Sequence, residues 1–462
     1  MLFTSLVFFL FFSCFFVLYW GLKKRELQNI LILCGSYFFY GYIHPYFCLL
    51  IAASTLLDYL CALGIERFPQ RAKAFLLASL AFNLSLLGFF KYFNFFIENV
   101  FSLGKSLGWQ FEPFLLQIVL PVGISFYTFQ TLSYTIDVYR GDLKARRSFI
   151  DFAVFVAFFP QLVAGPIERA SHFIPQVEKE RSWSWKYLYS ACPLLLMGLF
   201  KKLVIADNIS PFVDMVFLLE KPPLTLLFVG SIGFAIQIFA DFSAYTDIAR
   251  AVARLLGFEL MENFRAPYLA FSPSDFWKRW HISFSSWIRD YVYIPLGGSR
   301  VKSTWRYVFI VFVTMGLSGL WHGAAWHFVL WGIFHAFLLI AYSLLGFGGR
   351  WKPKGFSAQL CAWMIAQFFI VSSWTLFRAR DMSWVWNALA SPLSGMDIDA
   401  LLSSFIILLI FFAYVVPWTI TVLAERYLPP QHLILHSCRW LQVALLIVLA
   451  KQDPQEFVYF QF

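Results

Sequence analysis

Two short segments hold the side chains most suited to chemistry: Phe276-Trp277-Lys278-Arg279-Trp280-His281 and Trp321-His322-Gly323-Ala324-Ala325-Trp326-His327. Four of the eight histidines (281, 322, 327 and 335) fall in the sixty residues from Phe276 to His335, in a chain that is 13% charged. His322 lies within a long apolar run beside a glycine, which lets a substrate or another backbone come close. A buried imidazole is neutral near pH 7 and can take a proton from a hydroxyl. It can equally be a core residue bonding a backbone carbonyl, and residue types alone leave both readings open. His281 is the second candidate, His327 and His335 read as packing or interfacial residues, and His44, His172, His432 and His436 carry no assigned chemistry. On a continuous helix, His322 and His327 would point roughly 140° apart. A two-histidine metal face needs a spacing of four and an accompanying acid, so no metal is expected. The GxSxG, GxxxxGK[ST] and strand-linked GxGxxG signatures of soluble enzymes are missing from the sequence.

The elements that must hold these residues are membrane helices. The chain of 462 residues is 60% hydrophobic and 21% aromatic, above the roughly 45–50% apolar share of soluble domains. Candidate spans lie near 1–20, 28–44, 46–64, 74–97, 114–134, 150–165, 190–219, 224–247, 305–320, 324–346, 358–377, 403–423 and 437–450. The expected fold is an all-α polytopic integral membrane protein with roughly 11–13 membrane segments, re-entrant or half-spans included. Lys23, Lys24 and Arg25 follow the first apolar run, the reverse of a cleaved signal peptide, so an uncleaved span with an outside N-terminus is expected. The clusters Glu66–Lys73 and Arg140–Arg147 then fall on the cytoplasmic side. The net charge of +10 sits in short clusters flanking apolar runs, as contacts to membrane lipids do, and does not argue for nucleic acid. Seven cysteines without a CxxC read as small hydrophobes.

Between Ser272 and Gly298 the pattern changes. Ser272, Pro273 and Asp275 form a helix start. Trp277, Trp280, Phe284, Trp287 or Ile288, and Tyr291 follow at helical spacing, with Lys278, His281, Ser285 and Arg289 as a polar stripe. One continuous helix ending before Pro295 is predicted, at the interface or along a wet cavity, because mid-membrane Lys or Arg costs about 2.5–3.5 kcal/mol each. Glu168 to Lys186 reads as an extramembrane loop. The tail Phe457-Val458-Tyr459-Phe460-Gln461-Phe462 carries too many aromatics to be left in water, and should dock. We expect one membrane domain, 1–462, with N-terminal spans in 1–112, a core in 113–350, and C-terminal spans in 351–462 ending in the docked tail 457–462.

Several longer motifs are recognisable in order along the chain. Pro121-Val122-Gly123-Ile124-Ser125-Phe126-Tyr127-Thr128-Phe129-Gln130, Ser133-Tyr134, Asp137-Val138-Tyr139-Arg140, Phe159-Pro160-Gln161, Ala164-Gly165-Pro166-Ile167 and Asp241-Phe242-Ser243-Ala244-Tyr245-Thr246-Asp247 join the two histidine segments. Together they resemble the membrane-bound O-acyltransferase (MBOAT) family, most of all its bacterial alginate O-acetyltransferase-like branch, whose relatives acetylate peptidoglycan or D-alanylate teichoic acid.

The resemblance implies that His322 and His281, 41 residues upstream, are the catalytic pair. It implies acyl transfer from a cytoplasmic thioester, acetyl-CoA, through a central tunnel to a polysaccharide on the outer face of the bacterial inner membrane. Lys278, Arg279, Trp280, Trp321 and Gly323 are the oxyanion or tunnel-lining candidates. With no soluble domain to hold a polymer, a separate extracytoplasmic acetyltransferase is expected as partner. Tyr459, in a tail that looks like the branch's FxYFxF ending, is a candidate acyl relay. A lipid or glycan transporter is the competing class, favoured by Asp241, Asp247, His281 and His322 at membrane depth.

Overall fold

The computed structural model describes residues 1–109, 112–349, 351–390, 398–429, 431–451 and 455–458. Among the described residues the regular structure is helical, and eight helices are long and apolar enough to cross a membrane. Their outer faces carry large apolar side chains: Leu49 is 71% exposed, Phe309 63% and Phe412 68%. In water such surface would aggregate; against lipid it is satisfied, and the helical backbone bonds itself.

The chain forms two compact units. The first comprises Met1–Ala191 and Ala249–Met261. Its helices Leu6–Gly21, Arg25–Gly41, Phe47–Arg67 and Ala72–Leu87 follow the apolar runs of the sequence. Two expected spans come out differently. The run at 114–134 becomes helical only at Ile124, because Pro121 and Gly123 interrupt it; Gly123 has φ +79°. A Cβ there would stand 2.4 Å from the Leu162 carbonyl oxygen, so this bend admits glycine alone.

The run at 150–165 is broken into Phe149–Ala157 and Phe159–Leu162 ahead of Pro160. The Gln161 amide donates to the Phe155 carbonyl at 2.7 Å and the Phe159 N–H donates to Ser36 Oγ at 3.1 Å. These bonds satisfy backbone that the break leaves open. The expected loop from Glu168 to Lys186 instead contains a packed helix, Ala170–Glu178, with Phe173, Ile174 and Val177 fully buried. Its charges outnumber its apolar residues in the sequence, but the apolar ones share one face. Arg181 is drawn inside, donating to Tyr19 Oη at 2.7 Å and to the Val177 carbonyl at 3.1 Å.

The second unit, Cys192–Ile248 with Glu262–Phe462, holds both histidine segments. Helix Trp185–Phe200 runs through a π-turn, Lys201–Ala206, into Asp207–Leu218. Helix Leu224–Leu255 follows, then an irregular stretch, then Thr304–His322, Trp326–Leu344, Phe356–Arg378, Met382–Leu389, Ile398–Tyr427 and Leu433–Leu449. Thr304–His322 and Trp326–Leu344 cross at glycines. A Cβ on Gly319 would lie 2.2 Å from the Phe328 carbonyl oxygen, and one on Gly332 would lie 2.1 Å from that of Met315. Backbones this close are the small-residue crossing of membrane helices.

Candidate active site

The irregular stretch between helices Leu224–Leu255 and Thr304–His322 shapes the site. Ser272 caps the helix Pro273–Trp277 by accepting from the Asp275 N–H at 3.2 Å, as its sequence predicts. The predicted continuation to Tyr291 does not form. Arg279 and Trp280 donate back to the Phe276 carbonyl, and the chain turns at His281 before restarting as Ile282–Ile288. Pairing with an earlier strand of backbone drives this break. Arg265 N–H donates to the Arg279 carbonyl at 3.0 Å, and Ile282 N–H donates to the Asn263 carbonyl at 2.9 Å. The buried Asn263 side chain accepts from Ser283 N–H at 3.2 Å and Ser283 Oγ–H at 2.6 Å.

His281 is thereby held at φ +43°, ψ +55°, left-handed backbone for a non-glycine residue. Such a conformation costs about 1–2 kcal/mol and persists where its surroundings fix it. Its ring is fully buried, and burial pushes its pKa down to about 3. The imidazole is therefore neutral at physiological pH.

His322 ends helix Thr304–His322 and is 4% exposed. Its ring centroid lies 5.2 Å from that of Trp331, edge-on at 88°, and 5.2 Å from that of Phe377. Phe284 and Trp321, stacked 4.2 Å apart, join it to His281. Phe284 is 5.5 Å from His322 and 5.1 Å from His281; Trp321 is 5.0 Å from His322 and 5.9 Å from His281. Phe242, from helix Leu224–Leu255, stands perpendicular to His281 at 4.8 Å. The two histidines share one aromatic box. An apolar box strengthens any electrostatic contact made inside it.

The other candidate residues divide. Trp321 is a wall of this box. Trp280 stacks on Phe276 at 5.5 Å and lies 5.0 Å from Trp374, one layer further out. Gly323 is required by packing, since a Cβ there would meet the Phe328 ring at 2.1 Å. Lys278 is exposed and donates to the Gly349 carbonyl. Arg279 is bound to Asp275 at 2.8 Å and to the Arg265 carbonyl. Neither cation is brought to the histidines, because the break at 278–281 sends their side chains elsewhere. Tyr459 lies outside the described residues, as does the rest of the tail beyond Val458; Phe457 and Val458 are buried.

Two features, Asn263 and Trp331, had no signal in the sequence. Asn263 precedes His281 by eighteen residues with nothing between them to suggest pairing. Trp331 is fully buried with no acceptor for its indole N–H among the described residues, although its ring abuts His322. His335 accompanies them, 4.9 Å from Trp331, with Nε2 3.1 Å from Ser373 Oγ. That hydroxyl donates its own hydrogen to the Ile370 carbonyl, so His335 is the donor to it and carries its proton on Nε2. His327, whose Nδ1 is 3.1 Å from the Leu376 carbonyl, anchors the start of the next helix.

The charges that favoured a transporter are matched. Asp241 pairs with Lys202 at 2.8 Å and Asp247 with Lys201 at 2.7 Å.

The membrane-bound O-acyltransferase family model matches residues 143–377, a stretch that contains both histidines. The chain belongs to the MBOAT family. Its relatives include a protein of Azotobacter vinelandii named probable alginate O-acetylase AlgI, 38% identical over 86% of this chain and 79% of that protein. A peptidoglycan O-acetyltransferase of Helicobacter pylori is 34% identical over 80% of this chain and 74% of its own. A teichoic acid D-alanyltransferase of Bacillus subtilis is 27% identical over 56% and 69%. This MBOAT protein is a multi-pass membrane O-acyltransferase.

Proposed function

We propose that this MBOAT enzyme moves an acetyl group from cytoplasmic acetyl-CoA to an extracytoplasmic polysaccharide of alginate type, in the bacterial inner membrane, with a separate extracytoplasmic acetyltransferase completing the modification. The observation that carries the chemistry is the box shared by His322 and His281. The acceptor is argued from relatives named for alginate, with peptidoglycan or teichoic acid as the alternatives within the same chemistry.

In this reading His322 takes the proton of an acceptor hydroxyl as the oxygen attacks the thioester carbonyl. The carbonyl oxygen becomes an oxyanion in a water-poor, aromatic site, where fixed donors are worth most. His281, strained into place, and the Trp331 indole N–H, buried without an acceptor among the described residues, are the donors we assign to it. Lys278 and Arg279 are spent elsewhere. Collapse of the tetrahedral intermediate expels the thiolate, which recovers the proton from the His322 imidazolium. Thiolate is a good leaving group, so the protein residues account for the step.

The acceptor of that step is a hydroxyl carrier, for which Tyr459 is our candidate. The observation favouring it is that Val458, its neighbour in sequence, is buried in the same apolar core as Trp280, Phe328 and Trp331. Purified protein with acetyl-CoA should release free thiol, and the Tyr459→Phe variant should form no ester on the tail. Full polymer acetylation by Tyr459→Phe would remove the carrier and leave the histidine chemistry untouched.

A further inference from the structure

The π-turn Lys201–Ala206 widens the helix so that two consecutive lysines face inward. Lys201 is taken up by Ser243 and Asp247. Lys202, 1% exposed, faces two carboxylates, Asp207 at 2.9 Å and Asp241 at 2.8 Å, each also nearly fully buried. Buried carboxylates stay charged only with partners, and Lys202 is shared between two of them, with Lys451 held nearby at the Asp207 carbonyl. The C-terminal segment supplies further partners. Val458 N–H donates to Asp241 Oδ2 at 2.6 Å, and Lys202 reaches the Glu456 carbonyl at 3.4 Å. The Phe457 ring lies 4.6 Å from Lys202 Nζ as a cation–π contact and 4.7 Å from Tyr245, edge-on. Upstream, Asn208 donates to the Leu449 carbonyl and Lys451 to that of Asp207.

We infer that Lys202 and Asp241 are the docking site of the C-terminal segment, acting as positioning residues that fix the chain at Val458, with Asp207 serving only as the second partner of Lys202. The site reads main-chain atoms at 456 and 458 and an aromatic ring at 457. It thus recognises an aromatic side chain and main-chain atoms more than a particular sequence. Asp241 also adjoins Phe242, whose ring packs on His281. Helix Leu224–Leu255 therefore presents the dock and one wall of the histidine box from neighbouring positions. The consequence for transfer rests on the relay reading above; the docking does not.

The test separates a dock from a merely structural ion cluster. Val458→Cys keeps the main-chain N–H, and its thiol can be labelled with maleimide in the purified full chain and read by mass spectrometry of the C-terminal peptide. Labelling should be slow in Val458→Cys alone. Adding Asp241→Asn should speed it roughly tenfold, the factor for weakening one charge-assisted hydrogen bond. Adding Asp207→Asn, which removes a Lys202 partner whose carboxylate does not touch the tail, should leave it slow. Phe457→Ala, which removes the ring and spares Lys202 and both aspartates, should also speed labelling and serves if Asp241→Asn does not fold. Equal acceleration by the two aspartate variants, or rapid labelling of Val458→Cys alone, overturns the dock. Polymer acetate read on the same membranes isolates the relay: fast labelling with acetate intact upholds the dock and overturns the relay.

Discussion

His281 and His322 contact the same ring, that of Phe284, with centroids 5.1 and 5.5 Å away, although 41 residues separate them in sequence. One arrives from a strained turn and the other from the last residue of a membrane helix. The turn is the part of this arrangement most sensitive to substitution.

The backbone at 281 should discriminate among replacements by their tolerance of the left-handed region. Asn accepts that region readily and a β-branched residue does not. His281→Asn should keep the melting midpoint close to that of the parent, whereas His281→Val should lower stability by about 1–2 kcal/mol more. Removing the brace by Asn263→Ala strips both bonds from buried Ser283 and should cost about 1–3 kcal/mol. It should also slow acyl transfer with no side chain of the histidine pair altered. Melting curves and thioester consumption on the same preparations check these; equal stability of the Asn and Val variants would contradict the strained-turn account.

Trp331→Phe retains a ring that packs against His322 and removes the indole N–H, which has no acceptor among the described residues. Loss of one oxyanion donor lowers turnover by about 10²–10³-fold, and that is the expected fall in kcat, with little change in KM for the thioester. A variant with parental kcat would take Trp331 out of the chemistry and leave it a wall.

The pair Glu168–His172 gives the protein a pH-dependent stability term away from the site. The hydrogen bond that His172 Nδ1 donates to the Glu168 carboxylate at 2.7 Å raises the His172 pKa above 6.5, and burial raises that of Glu168 above 4.5. Both shifts mean that the folded state binds protons the unfolded state has released. The His172 contribution is complete below pH 6.5 and fades as pH rises through its folded pKa; the Glu168 shift acts in the same direction from 4.5 upward. Between mildly acidic and alkaline pH the parent should lose melting temperature relative to His172→Gln. A gap between the two that widens with rising pH would contradict this sign.

Much of the fold was legible because lipid demands long apolar runs, and the helices Phe47–Arg67, Thr304–His322 and Phe356–Arg378 fall where hydropathy places them. The expected helix through 278–281 failed for a physical reason. Aromatic spacing continues across the break, while the cause of the break, main-chain pairing with residues 263 and 265, is non-local. His281 adopts a conformation that sequence usually announces with glycine or asparagine, and it carries neither. The two histidine segments stood out by motif resemblance, and the structure sets His281 and His322 against one ring. Their surroundings were not legible: Lys278 and Arg279 look suitable by charge, and only packing reveals that Lys278 bonds the Gly349 carbonyl, that Arg279 bonds Asp275, and that Trp331 packs against His322. Asp241 and Asp247 likewise read as unmatched acids at membrane depth, because the π-turn that aims Lys201 and Lys202 at them leaves no mark in composition.

The most direct test of the account is ester-linked acetate on the cell's exopolysaccharide, compared between the parent and His322→Ala at matched membrane levels. The account predicts that acetate disappears while polymer yield is unchanged, since His322 serves acyl transfer and export does not pass through it. Acetate at the parental level with His322→Ala in the membrane would contradict the assignment of His322 as the base.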